Sequence, residues 1–191
     1  MGKGRLEAFS DAVIAILMTI MVLELPRPEG ATLSALEPLV SQLLVYAMSF
    51  TFLGIYWNNH HHLLQAVQRV NGSVLWANLH LLFWLSLVPI VTAWAGEHGL
   101  APVPVSLYGV VLLLSAVAYY ILVRTLLASH PSESRLAAAI GSDFKGKVSL
   151  FIYAAAIPAS FVHPLLGWAL YVVVAFIWLV PDKRIERVLS D

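Results

Sequence analysis

A series of long apolar runs constrains this chain more than any other feature. Residues 12–23, 39–57, 74–94, 105–127, 148–162 and 165–180 are dominated by aliphatic and aromatic side chains, and polar or helix-breaking residues divide them. In lipid, every backbone N–H and C=O must be satisfied within its own segment, so such runs cross as helices. About 20 residues suffice for one crossing. Hydrophobic residues make up 60% of the chain and charged ones only 12%, where a soluble domain carries roughly 25%. The runs predict an all-α integral membrane protein, a single domain over residues 1–191 with six transmembrane helices near 6–25, 37–60, 74–96, 104–127, 147–162 and 165–181. A net charge of zero gives no reason to expect a nucleic-acid partner, and the absence of cysteine excludes disulfides and thiolate-held metals.

Local signals set the boundaries. Pro26-Arg27-Pro28-Glu29-Gly30 ends the first helix. Ser34-Ala35-Leu36-Glu37 reads as a capping box that opens the second, with Pro38 in its first turn. Pro89 is expected to kink the third. A surface helix is expected around 133–140, and His163-Pro164 joins the last two spans tightly. Lys3 and Arg5 before an apolar run resemble a signal peptide, but Asp11 interrupts the run and no A-x-A site follows, so a retained helix is expected. Lys3, Arg5, Arg69, Arg124, Arg135, Lys145, Lys147, Lys183, Arg184 and Arg187 fall on one side of this layout and only Arg27 on the other. The positive-inside rule then puts both termini in the cytoplasm.

The first span is the unusual one. Its uninterrupted apolar part is short, so Phe9, Ser10 and Asp11 are drawn toward membrane depth, where an ionisable group needs a partner or a task. Advancing about 100° per residue, Arg5, Phe9, Ile16, Ile20 and Leu23 share one stripe. Ala8, Ala12, Ala15 and Thr19 flank it, small enough for close helix approach. Ser10 and Asp11 fall on the other side. Such a stripe packs against lipid or core, or it lines a narrow pore as a dewetting constriction. Periodicity alone leaves both open.

The run R-L-E-A-F-S-D-A-V-I-A-I-x-x-T, with Arg5, Phe9-Ser10-Asp11, Ile16 and Thr19 in place, resembles the first helix of the transmembrane protein 175 family, lysosomal potassium channels and their prokaryotic relatives. The six-span layout, the W-N-N-H-H-H end of the second helix, and Asn78 and His80 in the third extend the likeness. The resemblance implies a potassium-permeable cation channel in a prokaryotic plasma membrane, with the first helix lining the pore. It implies a constriction at Ile16, Ile20 and Leu23, with Thr19 as the pore hydroxyl. One six-helix repeat per chain implies a homotetramer. K+ and other monovalent cations would permeate rather than serve as cofactor. Ala15 departs from members that place a hydroxyl there. The chain contains no T-V-G-Y-G, and Ser106-Leu107-Tyr108-Gly109-Val110 is only a passing likeness within an apolar helix.

The remaining polar residues are assigned around this helix. Arg5, Phe9, Ser10, Asp11, Trp57, Asn58, His60, His61, Asn78 and His80 form the expected network behind it, with Asp11 as its structural anchor. Glu24 lies at the outer mouth, where a ring of carboxylates concentrates cations. His60-His61-His62 cannot converge on one ion, because consecutive helical residues point about 100° apart, so no metal site is expected. A proton-coupled secondary transporter using Asp11 and the histidines is the alternative. A carrier places ionisable groups near the midplane on broken helices, whereas here they collect at one end. No G-x-S-x-G, H-E-x-x-H or Walker loop is present, so no enzyme is expected.

Overall fold

In the computed structural model, described here for residues 2–130 and 143–179, the chain is all-helical. α1 spans Lys3–Leu23, α2 Val40–Gln65, α3 Gly72–Leu85, α4 Val88–Glu97, α5 Pro102–Ala128, α6 Phe144–Val162 and α7 Pro164–Leu179. Four stretches are long and apolar enough to cross a membrane: Lys3–Leu23, Leu33–Gln65, Gly72–Glu97 and Pro102–Ala128. α7 is apolar but only 16 residues long. α6 opens on Lys145 and Lys147, which shortens its apolar part. The helix expected around 133–140 and the basic residues Lys183, Arg184 and Arg187 lie outside the described residues.

Two boundaries differ from the sequence expectation. Ser34-Ala35-Leu36-Glu37 forms no capping box. Leu33–Leu39 is instead a 3₁₀ turn whose N-cap, Thr32, makes no capping bond, and the Thr32 and Ser34 hydroxyls bond each other at 2.9 Å. Pro38 lies inside this turn. The ring lacks an N–H and its δ-carbon crowds the residue before it, so the α-helix starts only beyond it. Pro89 acts as expected but more strongly. The third span separates into α3 and α4 at Ser86–Leu87, and Pro89 takes a place in the first turn of α4, where a missing N–H does no harm.

α1 packs against α2, α3 and α4, whereas α5 packs against α3, α4, α6 and α7. The α5–α7 contact is close enough to require glycine. Tyr171 lies fully buried and donates to the Val105 carbonyl at 3.1 Å, and a methyl group on Gly109 would collide with its hydroxyl. Ser106-Leu107-Tyr108-Gly109-Val110 thus forms part of a continuous helix, not a re-entrant loop. Tyr108 is buried and meets the Ser49 hydroxyl at 2.9 Å. Thr92 meets Ser49 at 2.7 Å and bonds the Val88 carbonyl at 2.7 Å, which joins α2, α4 and α5 through hydroxyls.

One end of the bundle collects the starts of α1 and α3 with the ends of α2 and α5. Lys3 Nζ donates to the Gln65 carbonyl at 3.0 Å. His130 Nε2 accepts from the backbone N–H groups of Gln68 and Arg69 at 3.1 and 3.4 Å. Asp143, at the start of α6, shares a cavity lining with Tyr119 and Tyr120 near this end of α5. Burial pushes the Asp143 carboxyl upward, and the Gly146 N–H and the Lys147 charge oppose that shift in part.

Candidate functional site on the first helix

The two faces of α1 have opposite fates. Leu6, Ser10, Ile14 and Met21 are buried against the neighbouring helices. Ile16 is 60% exposed, Ile20 42% and Leu23 78%, and Phe9, Ala8, Ala12, Ala15 and Thr19 are exposed beside them. The predicted stripe is therefore the outer surface of the single chain. Thr19 Oγ1 lies 3.0 Å from the carbonyls of both Ala15 and Ile16. Its proton is committed to the backbone, which leaves its lone pairs directed away from the helix. Glu24 caps the end of α1 and is exposed, as is Glu29.

The inner face is fixed by a buried polar chain. Ser10 donates to the Leu6 carbonyl at 2.9 Å and accepts from Asn78 Nδ2 at 2.9 Å. Asn78 Oδ1 meets His60 Nε2 at 2.7 Å. Since the amide nitrogen serves Ser10, its oxygen faces the imidazole, and Nε2 of His60 carries the proton. Ser10, Asn78 and His60 are all fully buried. Three helices are thereby pinned at one level by charge-neutral hydrogen bonds, which in a low-dielectric interior are strong.

Asp11 is not in that chain. It is half-buried, and its Oδ1 is closed from solvent with no hydrogen-bond partner. Its neighbours in space are Glu7 and His61. The three histidines diverge. His60 goes to Asn78, His61 lies 3.0 Å from Glu7 Oε1 and 2.8 Å from Gln65 Nε2, and His62 Nδ1 has no partner. Trp57 is exposed and stacks on His61. Asn58 is exposed, and Arg5 is exposed without a side-chain hydrogen bond or ion pair among the described residues. His80 is also exposed and accepts from Trp84 Nε1 at 2.9 Å, away from the other members.

The ten residues expected to form one network thus divide. Ser10, His60 and Asn78 meet in the core, Asp11 and His61 meet beside it with Trp57 stacked on His61, and Arg5, Phe9, Asn58 and His80 point elsewhere. Ser10, not Asp11, takes the central place on the buried face. Two residues of the second cluster were not picked out from the sequence, Glu7 and Gln65. The four-residue spacing of Glu7 and Asp11 was the available signal, and nothing in the sequence tied Gln65 to His61 across one turn of α2.

Comparison with known proteins identifies the family. The family described as the endosomal/lysosomal potassium channel TMEM175 matches residues 5–89. A potassium channel from Chryseobacterium sp. (strain P1-3) is 53% identical over 191 residues, the whole of both chains. The chain belongs to the TMEM175 family. The crystal structure of a lysosomal potassium-selective channel TMEM175 homologue from Chamaesiphon minutus superposes with a TM-score of 0.80 at 28% identity, covering 93% of this chain and 96% of that one. The Danio rerio endosomal/lysosomal proton channel TMEM175 is 26% identical over 136 residues, 66% of this chain and 25% of its own length. All are named as channels. This TMEM175 chain is a membrane protein of a channel family and not an enzyme.

Proposed function

We propose that the chain is a potassium-permeable cation channel of a prokaryotic plasma membrane, built from four copies whose α1 helices surround the pore. The observation that carries this reading is the outer face of α1. Ile16, Ile20 and Leu23 are exposed in succession, Thr19 stands beside them, and the opposite face is locked through Ser10, Asn78 and His60. A stripe on one helix encloses a pore only when several chains supply it. The aliphatic side chains then form a neck that gates by dewetting, and Thr19 offers oxygen lone pairs to a cation that has shed part of its water. Glu24 lies at the outer mouth. Both termini are cytoplasmic in this reading, because Lys3, Arg5, Arg69 and Arg124 gather at the end of the bundle where α1 begins. Residues 1–191 then form one domain with six membrane passes. The permeant ion follows the names of the bacterial relatives, and no bound cofactor is required.

Reconstituted protein tests the proposal. In liposomes with outward potassium gradients, wild type conducts passively and Ile16→Asn conducts more. Silence of both, or flux that needs a proton gradient, supports a proton-coupled carrier instead. The Danio rerio relative named as a proton channel makes the proton a second candidate permeant ion, and a pH-sensitive dye in the same vesicles separates the cases.

A further inference from the structure

The first two turns of α1 present two carboxylates on one face, Glu7 and Asp11, four residues apart. Like charges at that spacing repel. His61 approaches them from α2. Its Nδ1 lies 3.0 Å from Glu7 Oε1, and Glu7, Asp11 and His61 each bring one ligand-type atom to within 4.8 Å of the other two. Asp11 Oδ1 is buried without a partner, and His61 Nδ1, although next to Glu7, is angled so that it makes no hydrogen bond. With the Gln65 amide turned to present its oxygen to Nε2, Nδ1 is a lone pair, and three electron-rich atoms then converge with no donor between them. An unsatisfied buried group costs about 1–3 kcal/mol, and more when charged. Meanwhile the imidazole is held on its other sides, since Nε2 is 2.8 Å from the Gln65 amide and Trp57 stacks on the ring. A metal-ligating histidine is usually oriented in this way, its second nitrogen bonded to a neighbouring side chain. Here the Gln65 amide, turned to present its oxygen, would accept that N–H.

We propose that Glu7, Asp11 and His61 form a binding site for a divalent transition-metal ion of the zinc type, which ties the first turns of α1 to the end of α2. The donors are one imidazole nitrogen and two carboxylate oxygens. That set suits Zn2+ or Co2+ better than Cu(I), which prefers sulfur, or Ca2+, which takes six to eight oxygens. Three protein donors leave a fourth tetrahedral position to water. The divalent charge neutralises both carboxylates and removes their repulsion. Metal–ligand bonds of about 2.0–2.2 Å require the three side chains to draw together by rotamer adjustment, without a backbone shift. The site faces α2 rather than the exposed stripe, so it stands whether or not the chain conducts potassium.

The test uses the full chain, tag-free and chelator-treated in detergent. Zn2+ is titrated by calorimetry, and Co2+ by its visible absorption. One ion per chain is expected, and Zn2+ raises the melting temperature of wild type through its binding to the folded state. Glu7→Gln, Asp11→Asn and His61→Asn each weaken binding by at least about tenfold and abolish the temperature rise and the tetrahedral Co2+ bands. Gln65→Ala weakens it by about tenfold, as loss of a supporting partner does. His98→Ala and His163→Ala leave it unchanged. Wild-type elution on size exclusion shows that each variant folds, and the three near-isosteric ligand variants back one another if one fails. No binding by wild type, or binding that survives all the ligand variants that fold, or loss only in His98→Ala or His163→Ala, overturns the site.

Discussion

Two polar clusters occupy neighbouring turns of the same helix, and they are built in opposite ways. In one, Ser10, Asn78 and His60 are fully buried, uncharged and joined in an unbroken chain. In the other, Glu7, Asp11 and His61 are half-buried, carry two carboxylates and leave donor-seeking atoms unpaired. The first joins three helices and leaves only the Nδ1 atom of His60 without a partner. The second is open, and an open buried site asks for a ligand. Adjacent residues, Ser10 and Asp11, thus serve different ends because one helix step of about 100° turns one into the core and the other to its edge.

The largest effect should come from breaking the buried cluster. Asn78→Ala leaves the buried His60 N–H without an acceptor, at about 1–3 kcal/mol, and takes a donor from Ser10, so a thermal-shift assay in detergent should show a lowered melting temperature and lower yield. Gly109→Ala comes next. The added methyl must displace Tyr171 from α5, and overpacking of this kind costs about 1–3 kcal/mol. It disturbs packing far from both clusters, so zinc binding should survive it. In the open cluster the effects on stability are small. Glu7→Gln relieves the repulsion with Asp11 and loses a part-exposed contact with His61, and should shift metal-free stability by no more than about 1 kcal/mol. Asp11→Asn should likewise melt close to wild type in chelator. A drop as large as that of Asn78→Ala would erase the contrast and make Asp11 a structural anchor.

The smallest effect belongs to Asp143, whose carboxyl burial raises. A carboxyl with a folded-state pKa above its unfolded value binds its proton more tightly when folded. It favours the fold most below the unfolded pKa and loses that contribution as pH rises through the folded one. Asp143→Asn removes the titrating carboxyl and should flatten this part of the pH–stability curve. A steeper dependence in the variant would contradict the assignment.

Much of this was legible in the sequence. Apolar runs and breakers marked the helices, Pro89 marked the break between α3 and α4, and a 100° count separated the Ile16 stripe from Ser10 and Asp11. Other features were not. Ser34 to Glu37 carried the letters of a capping box, but Pro38 and the mutual bond of Thr32 and Ser34 decided the local geometry. The pairing of Ser10 with Asn78 spans 68 residues, and one sequence supplies no signal for which of several polar residues at one end of a bundle will meet. Ionisability drew attention to Asp11, whereas burial and hydrogen-bond satisfaction gave the central place to the plainer serine.

The central claim concerns the other face of α1, and potassium flux tests it most directly. Wild type, Ile16→Asn and the conservative Leu17→Met are compared in liposomes at matched protein content and tetramer fraction. The account predicts passive potassium flux in wild type, a severalfold rise in Ile16→Asn because a polar side chain wets the neck, and no change in Leu17→Met, off the stripe. Equal flux in Ile16→Asn and wild type, with both folded, would contradict it and return the stripe to the lipid.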